Sequence, residues 1–334
     1  AADKNAGSLT LEYSEIYNAG AGELRHPIYV TSDAAQYPHA VFRMQFNYVH
    51  DGNGGNLLKS RHHRNEIYSN WFENARYQEI ELIGPDCEAW EGTPPAIEGN
   101  SDIVGNVVIH SSGWSNAIRA GGDLNGRSRG VVRMVNNTVL FNRPGGATAV
   151  MVQLGLKALD MHNNVVHQAG GSPVIIRENT GADTPVCGYQ DTRAWTDGVR
   201  RVSGEKNWVQ VGAMQVPSTS EWIGTLRADD PGLVSLETGQ IRPRADSSLR
   251  GAGTAIPRDV PGLSPFPEPL VVPTHEPPYR VRLALGAAIR RSWTGSPSIG
   301  AFEPTVPEFI RMNGSMPLIP HQPNNVFAVG SDQV

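Results

Sequence analysis

The stretch VRMVNNTVLFN, residues 132–142, returns 27 residues later as LDMHNNVVHQAG, residues 159–170. Each is an alternating apolar–polar run that reaches an asparagine, continues through a few mostly apolar residues and ends in a turn. The same pattern occurs as FRMQFNYVHDG (42–52), EIYSNWFENA (66–75), DIVGNVVIHSSG (102–113) and SGEKNWVQVG (203–212), with LEYSEIYNAG (11–20) as a degenerate first copy. The repeated polar position is Ser14, Asn47, Asn70, Asn106, Asn137, Asn164 and Asn207. Its spacings are 33, 23, 36, 31, 27 and 43 residues. The shortest spacing suits one bare coil of a parallel β-solenoid, and the longer ones leave room for loops. Coils of this kind cannot bury a core alone; stacked, they bury a continuous apolar column. An asparagine recurring at one corner tolerates left-handed backbone and bonds neighbouring peptide groups.

Composition agrees. The 334 residues include 36 Gly and 25 Pro, and no long helical periodicity appears. That favours many short strands joined by irregular turns. A hydrophobic share of 39% supplies a core. A net charge of −5 argues against a general nucleic-acid partner. No apolar run is long enough for a membrane-spanning helix. The opening AADKNAGSLTLEYSEIYNAG reads as strand rather than as a leader, so a trimmed start with missing N-terminal coils is expected. Cys87 and Cys187 lie in turn-like segments, and spacing leaves a disulfide between them open. Phosphate-loop, dinucleotide and zinc motifs are absent.

The repeat resembles the right-handed parallel β-helix proteins of the pectin-lyase-like class. SPSIGAFEP (296–304) resembles their closing segment, and DPGLVSLETGQIRPRADSSLRGAG (230–253) their C-terminal region. The resemblance runs from about residue 8 to 304. It implies an all-β, right-handed parallel β-helix over residues 1–304, with 305–334 as a C-terminal extension. It also implies a secreted or periplasmic, bacterial setting.

Strand side chains alternate, so the apolar positions fix which residues face out. With Leu58 inward, Lys59 and Arg61 go out; with Ile80 and Leu82 inward, Glu79 and Glu81 go out. The same reasoning turns out Tyr29, Arg119, Met151 with Gln153, and Ile175 with Arg177. Were these segments one sheet in successive coils, they would form an exposed polar stripe about 25 Å long at the inter-strand spacing, suited to an extended polymer. A slip of one residue would reverse every one of them.

GGNLLKSRHHRNEIYSNWFEN (54–74) also resembles the lysine-bearing strand of β-helix polysaccharide lyases, in which K-S is followed by a turn and N-x-I-x-x-N-x-F. HPIYV (26–30) resembles the H-N-I-Y segment upstream in related proteins. Cleavage of a uronate polymer by β-elimination needs a base for the C5 proton, neutralisation of the carboxylate and an acid for O4. Lys59 beside Arg61 suits the base, because a like charge lowers a lysine pKa. Arg61 or Arg119 suits the carboxylate. Glu79, Glu81 and Asp86 offer oxygen ligands for Ca²⁺. His26, His50, His62 and His63 titrate near neutrality. His26 joins Lys59, Arg61 and Arg119 as a candidate catalytic residue, while Tyr29, His50, His62, His63, Gln153 and Arg177 are candidate contacts to an anionic polysaccharide. The coil after the lysine carries EIELIGPD where these lyases carry an Arg-His-Gly-Asn type segment, which leaves Arg119, one rung on, as the substitute. The competing expectations are a glycoside hydrolase using Glu79, Glu81 and Asp86, a C5-epimerase, and a non-catalytic glycan-binding β-helix. In the blandest reading, Lys59 and Arg61 form only an ion-pair ladder with Glu79 and Glu81. Trp71, Trp90, Trp114, Trp195 and Trp208 are candidates for stacking on sugars, Trp71 and Trp208 being better placed for packing.

Overall fold

The structure is a computed structural model, and it describes residues 6–33, 36–84, 99–123, 130–143, 145–153, 156–178, 201–214, 222–235, 238–257 and 270–304. All of these lie in one compact unit, Ala1–Pro304. Asp86, Cys87, Trp90, Cys187, Trp195 and the 305–334 extension fall outside the described residues.

Among the described residues there is no helix, and three long parallel sheets make a β-helix. The first sheet holds β1 (Leu9–Glu12), β4 (Phe42–Gln45), β7 (Arg64–Tyr68), β10 (Asn100–Val104), β13 (Val131–Val135), β16 (Ala158–His162) and β19 (Arg201–Glu205). The second holds β2 (Glu15–Tyr17), β5 (Tyr48–His50), β8 (Trp71–Glu73), β11 (Val107–His110), β14 (Thr138–Phe141), β17 (Val165–Gln168), β20 (Trp208–Gln210) and β21 (Leu226–Ala228). The third holds β3 (Ile28–Val30), β6 (Leu58–Ser60), β9 (Ile80–Leu82), β12 (Asn116–Ala120), β15 (Thr148–Val152) and β18 (Val174–Glu178). Two short antiparallel pairs follow, β22 (Leu233–Ser235) with β23 (Gln240–Pro243) and β24 (His275–Glu276) with β25 (Ile289–Arg290). Each of the six coils from β1 to β18 therefore contributes one strand to each sheet in turn.

Register explains the core. In the second sheet Ile16, Val49, Phe72, Val108, Val139, Val166 and Val209 stand above one another. In the third sheet Ile28, Leu58, Ile80, Ile118, Val150 and Ile176 do the same. Both columns point into one apolar interior. Ile175, expected to face out, is buried in that interior's cluster instead, and its N–H donates to Met214 O at 2.7 Å. Met214 stands beside it as a further rung, in a parallel bridge with Val174.

The repeated asparagines form a ladder at the corner between the first and second sheets. Asn47 N–H donates to Asn70 Oδ1, Asn70 N–H to Asn106 Oδ1, Asn106 N–H to Asn137 Oδ1, Asn137 N–H to Asn164 Oδ1 and Asn164 N–H to Asn207 Oδ1, each at 2.9–3.0 Å. Each amide Nδ2 donates in turn to a backbone carbonyl, for example Asn106 to Ile67 O at 2.7 Å and Asn137 to Ile103 O at 2.7 Å. The left-handed residue is not the ladder asparagine but the one before it. Tyr13, Phe46, Ser69, Gly105, Asn136, Asn163 and Lys206 have φ between 50° and 69°. The asparagine then bonds the neighbouring coil that this bend brings alongside.

The segment after β21 lies against the outer face of the second sheet. Trp71, Val107, Ile109, Leu140, Val165 and Trp208 pack there against Leu233, Ile241, Leu249, Ile299, Ala301 and Phe302. The closing SPSIGAFEP segment is pinned by Asn136 Nδ2, which donates to Ser298 O at 2.8 Å and Gly300 O at 3.1 Å, and by Ala301 N–H, which donates to Thr138 Oγ1 at 2.9 Å. Asn163 holds the same cover through Thr254, its Nδ2 donating to Thr254 O at 2.8 Å.

Candidate functional site

The outer column of the third sheet is Tyr29, Lys59, Glu81, Arg119, Met151 and Arg177, one residue per rung in unbroken register. Tyr29, Lys59, Glu81 and Arg119 belong to one polar cluster, joined by Arg61 just after β6 and by Asp123 after β12. The face is not a solvated stripe: Lys59 is 9% exposed, Arg61 3% and Glu81 0%. Ion pairs here are desolvated, so their loss costs far more than that of the exposed pairs first envisaged.

Lys59 Nζ lies 3.5 Å from Glu81 Oε2 and 3.5 Å from Asp123 Oδ2. Arg61 Nη2 meets the same Asp123 oxygen at 2.7 Å, and Arg61 Nε donates to the Tyr29 hydroxyl at 2.9 Å. Arg119 pairs with Glu81, and Asn56 Nδ2 donates to Glu81. Arg119 Nε is buried with no acceptor among the described residues. Among the described residues, Lys59, Arg61 and Arg119 share Glu81 and Asp123 as their carboxylate partners. Burial, and then the Arg61 guanidinium, pull the Lys59 ammonium below the usual lysine range, with Asp123 acting in the opposite sense. Burial likewise lowers Arg119.

His26 joins this cluster in a role other than proton carrier. Its Nδ1 accepts the Asn56 N–H at 2.8 Å, which leaves the ring proton on Nε2. Its ring packs edge-on to Tyr29 at 5.4 Å between centroids. Burial, Lys59, Arg119 and Arg61 push its pKa down to about 4, so it stays neutral near pH 7 and serves as a fixed donor.

Several expected members are elsewhere. Glu79 is fully buried and turned to His110, whose Nδ1 is 2.8 Å from its Oε2, while Ala75 N–H donates to its other oxygen. It has left the Glu81 face because it precedes β9 and lies at a corner, where strand alternation does not apply. Glu79 and Glu81 therefore do not form the carboxylate pair of a hydrolase. They do not fit a Ca²⁺ site either: each is committed to its own cationic or amide partners, Asp86 lies outside the described residues, and no group of acids and histidines among the described residues can hold a metal. His62 and His63 are buried against the N-terminal part of the chain, donating to Gly7 O at 3.3 Å and Pro38 O at 2.6 Å. They are corner packing, not surface contacts to a glycan. His50 is on the second sheet, stacked on Tyr48 at 3.9 Å and Tyr17 at 5.1 Å, with Asp51 Oδ2 2.7 Å from Nδ1. Gln153 sits one residue past β15, and Met151 fills its rung. Arg177 ends the column, exposed. Trp71 and Trp208 are core, whereas Trp114 is exposed and packs edge-on to Tyr77 at 4.7 Å.

Comparison gives no further lead. No family model, curated protein or solved structure matches the chain.

Two features escaped the sequence reading. Asp123 lies in a Gly-Gly-Asp turn whose only signal was the glycine pair. A second charged column lies on the outer face of the first sheet, where Arg43, Glu66, Asp102, Arg133 and Asp160 stand in register. Arg133 grips Asp102 with two bonds of 2.6 and 2.8 Å, and Arg64 reaches Asp102 at 2.8 Å. It mixes both signs, with Arg64 and Arg133 bridging to the acids, as in a structural ladder.

Proposed function

We propose that the chain is a secreted or periplasmic carbohydrate-active enzyme of the pectin-lyase-like class, a polysaccharide lyase that cleaves a uronic-acid polymer by β-elimination. The observation that carries this reading is Lys59: a covered lysine, its pKa lowered by burial and Arg61, on a face that also carries the guanidinium groups of Arg61 and Arg119. That suits one bound carboxylate beside an amine able to take a proton.

In this reading Arg61 and Arg119 hold the uronate carboxylate and draw charge from C5. Lys59 Nζ takes the C5 proton. The electrons of that C–H bond form the C4–C5 double bond as the C4–O4 bond breaks. The Tyr29 hydroxyl, polarised by Arg61 Nε, gives its proton to the departing O4, and solvent later moves the proton from Lys59 back to Tyr29. His26 Nε2–H is a neutral donor to a sugar oxygen. Met151 and Arg177 lie where further sugars of an extended polymer would run. No step is assigned to Ca²⁺, since Glu79 and Glu81 are turned to separate partners.

The test is product analysis with a panel of uronate polymers. Shorter chains with ultraviolet-absorbing unsaturated ends support the reading. New reducing ends without unsaturation would replace it with hydrolysis, and an altered C5 configuration at unchanged chain length with epimerisation.

A further inference from the structure

We propose that Asp123 sits in the seat of the substrate carboxylate, so that the free protein is self-blocked and binding exchanges one carboxylate for another. This rests on the reading of the face as a uronate site, and it adds an internal competitor that sets which anions are admitted.

The two carboxylates of the cluster are built differently. Glu81 is on β9, is not exposed at all, and is held by Asn56, Arg119 and Lys59. It is part of the wall. Asp123 is not on a strand. It follows Gly121, whose φ of 122° and close approach to Gln153 O, 2.4 Å from where a Cβ would stand, let the chain turn off the end of β12. Its side chain keeps 16% exposure. One oxygen of it, Oδ2, takes Arg61 Nη2 at 2.7 Å and Lys59 Nζ at 3.5 Å. The Arg61 contact is the one that a bound uronate carboxylate would take on this face, beside the Lys59 amine. The seat is thus shaped for a carboxylate and already holds one, supplied by an acid that stands off the strand and keeps some exposure.

The consequence is selectivity. A small free anion must displace a tethered carboxylate, whose effective local concentration is high. A polymer adds contacts to neighbouring rungs and wins the exchange. Asp123 also opposes the depression of the Lys59 pKa, alongside Tyr29 and against burial, Arg61 and Arg119. Its removal therefore leaves the ammonium with one negative neighbour fewer.

The experiment compares the full chain with Asp123→Asn, with Asp123→Ser as a second variant should the amide disturb the turn. Binding of monomeric galacturonate is measured by calorimetry, and the Lys59 ammonium is titrated by NMR. The expected result is galacturonate binding about tenfold tighter in the variants, with the Lys59 pKa lower than in the unaltered chain. Equal or weaker binding in both variants, or no galacturonate binding in any of the proteins, overturns the proposal and makes Asp123 a structural clamp. Tighter binding with no unsaturated product from any polymer keeps the carboxylate seat and removes the lyase reading.

Discussion

Lys59 and Glu79 show how far alternation reads a single residue. Lys59 lies in mid-strand, flanked by inward Leu58, and its outward direction follows from the apolar pattern alone. Glu79 is one residue before its strand, where the backbone turns, and there the same rule fails. Burial was not legible at either position, since the residues that cover this face, such as Asp123, are distant in sequence. The histidines carry opposite pH dependences for the same reason. His62 is covered by the N-terminal segment and its pKa falls to about 4, so the unfolded chain binds a proton the folded one refuses. Its contribution is present above pH 6.5 and is lost as pH falls towards 4. In urea melts across that range, His62→Gln is expected to flatten the acid decline by up to about 3 kcal/mol. Glu79 and His110 are both raised, the carboxyl by burial and the imidazole by Glu79. The folded pair therefore holds a proton that the unfolded chain releases, and its contribution declines as pH rises above 6.5. His110→Gln is expected to remove that alkaline decline.

The strands and corners were the most legible elements. Short runs such as DIVGNVVIH contain both a period of two and the polar corner, and the observed register matches their alignment. The doubled asparagines of NNTVL and NNVVH were not separable by pattern. The second of each joins the ladder; the first, in left-handed conformation, binds the C-terminal cover. These roles predict different costs. Asn106→Ala strands the amide of Asn70 and the carbonyl of Ile67 in the interior, so a loss of about 3 kcal/mol is expected from denaturant midpoints. Asn136→Ala removes its bonds to Ser298 and Gly300 and the one its Oδ1 accepts from Asn163 Nδ2, and is expected to cost about 1–2 kcal/mol. Equal losses would argue against a ladder distinct from its neighbour.

For the molecule as a whole, the repeat dictates the solenoid but says nothing of what lies upon it. The described cover over the second sheet comes from segments that lack the repeat, through Leu233, Ile241, Leu249, Ile299, Ala301 and Phe302, and it joins Trp71 and Trp208 to Phe302 in one apolar layer. Phe302→Ala is expected to destabilise the protein by about 3–5 kcal/mol, read by thermal melting, with an increase in tryptophan exposure. The third sheet carries the Lys59 cluster on its outer face, where the proposed anionic polymer would bind. The claim that this column is catalytic is tested most directly by the initial rate of unsaturated-end formation from a uronate polymer, for the unaltered chain and for Lys59→Arg. The account predicts elimination that drops by at least about a hundredfold when the titratable amine is replaced by a permanently charged group, with the melting temperature little changed. Elimination at an unaltered rate in Lys59→Arg would contradict it.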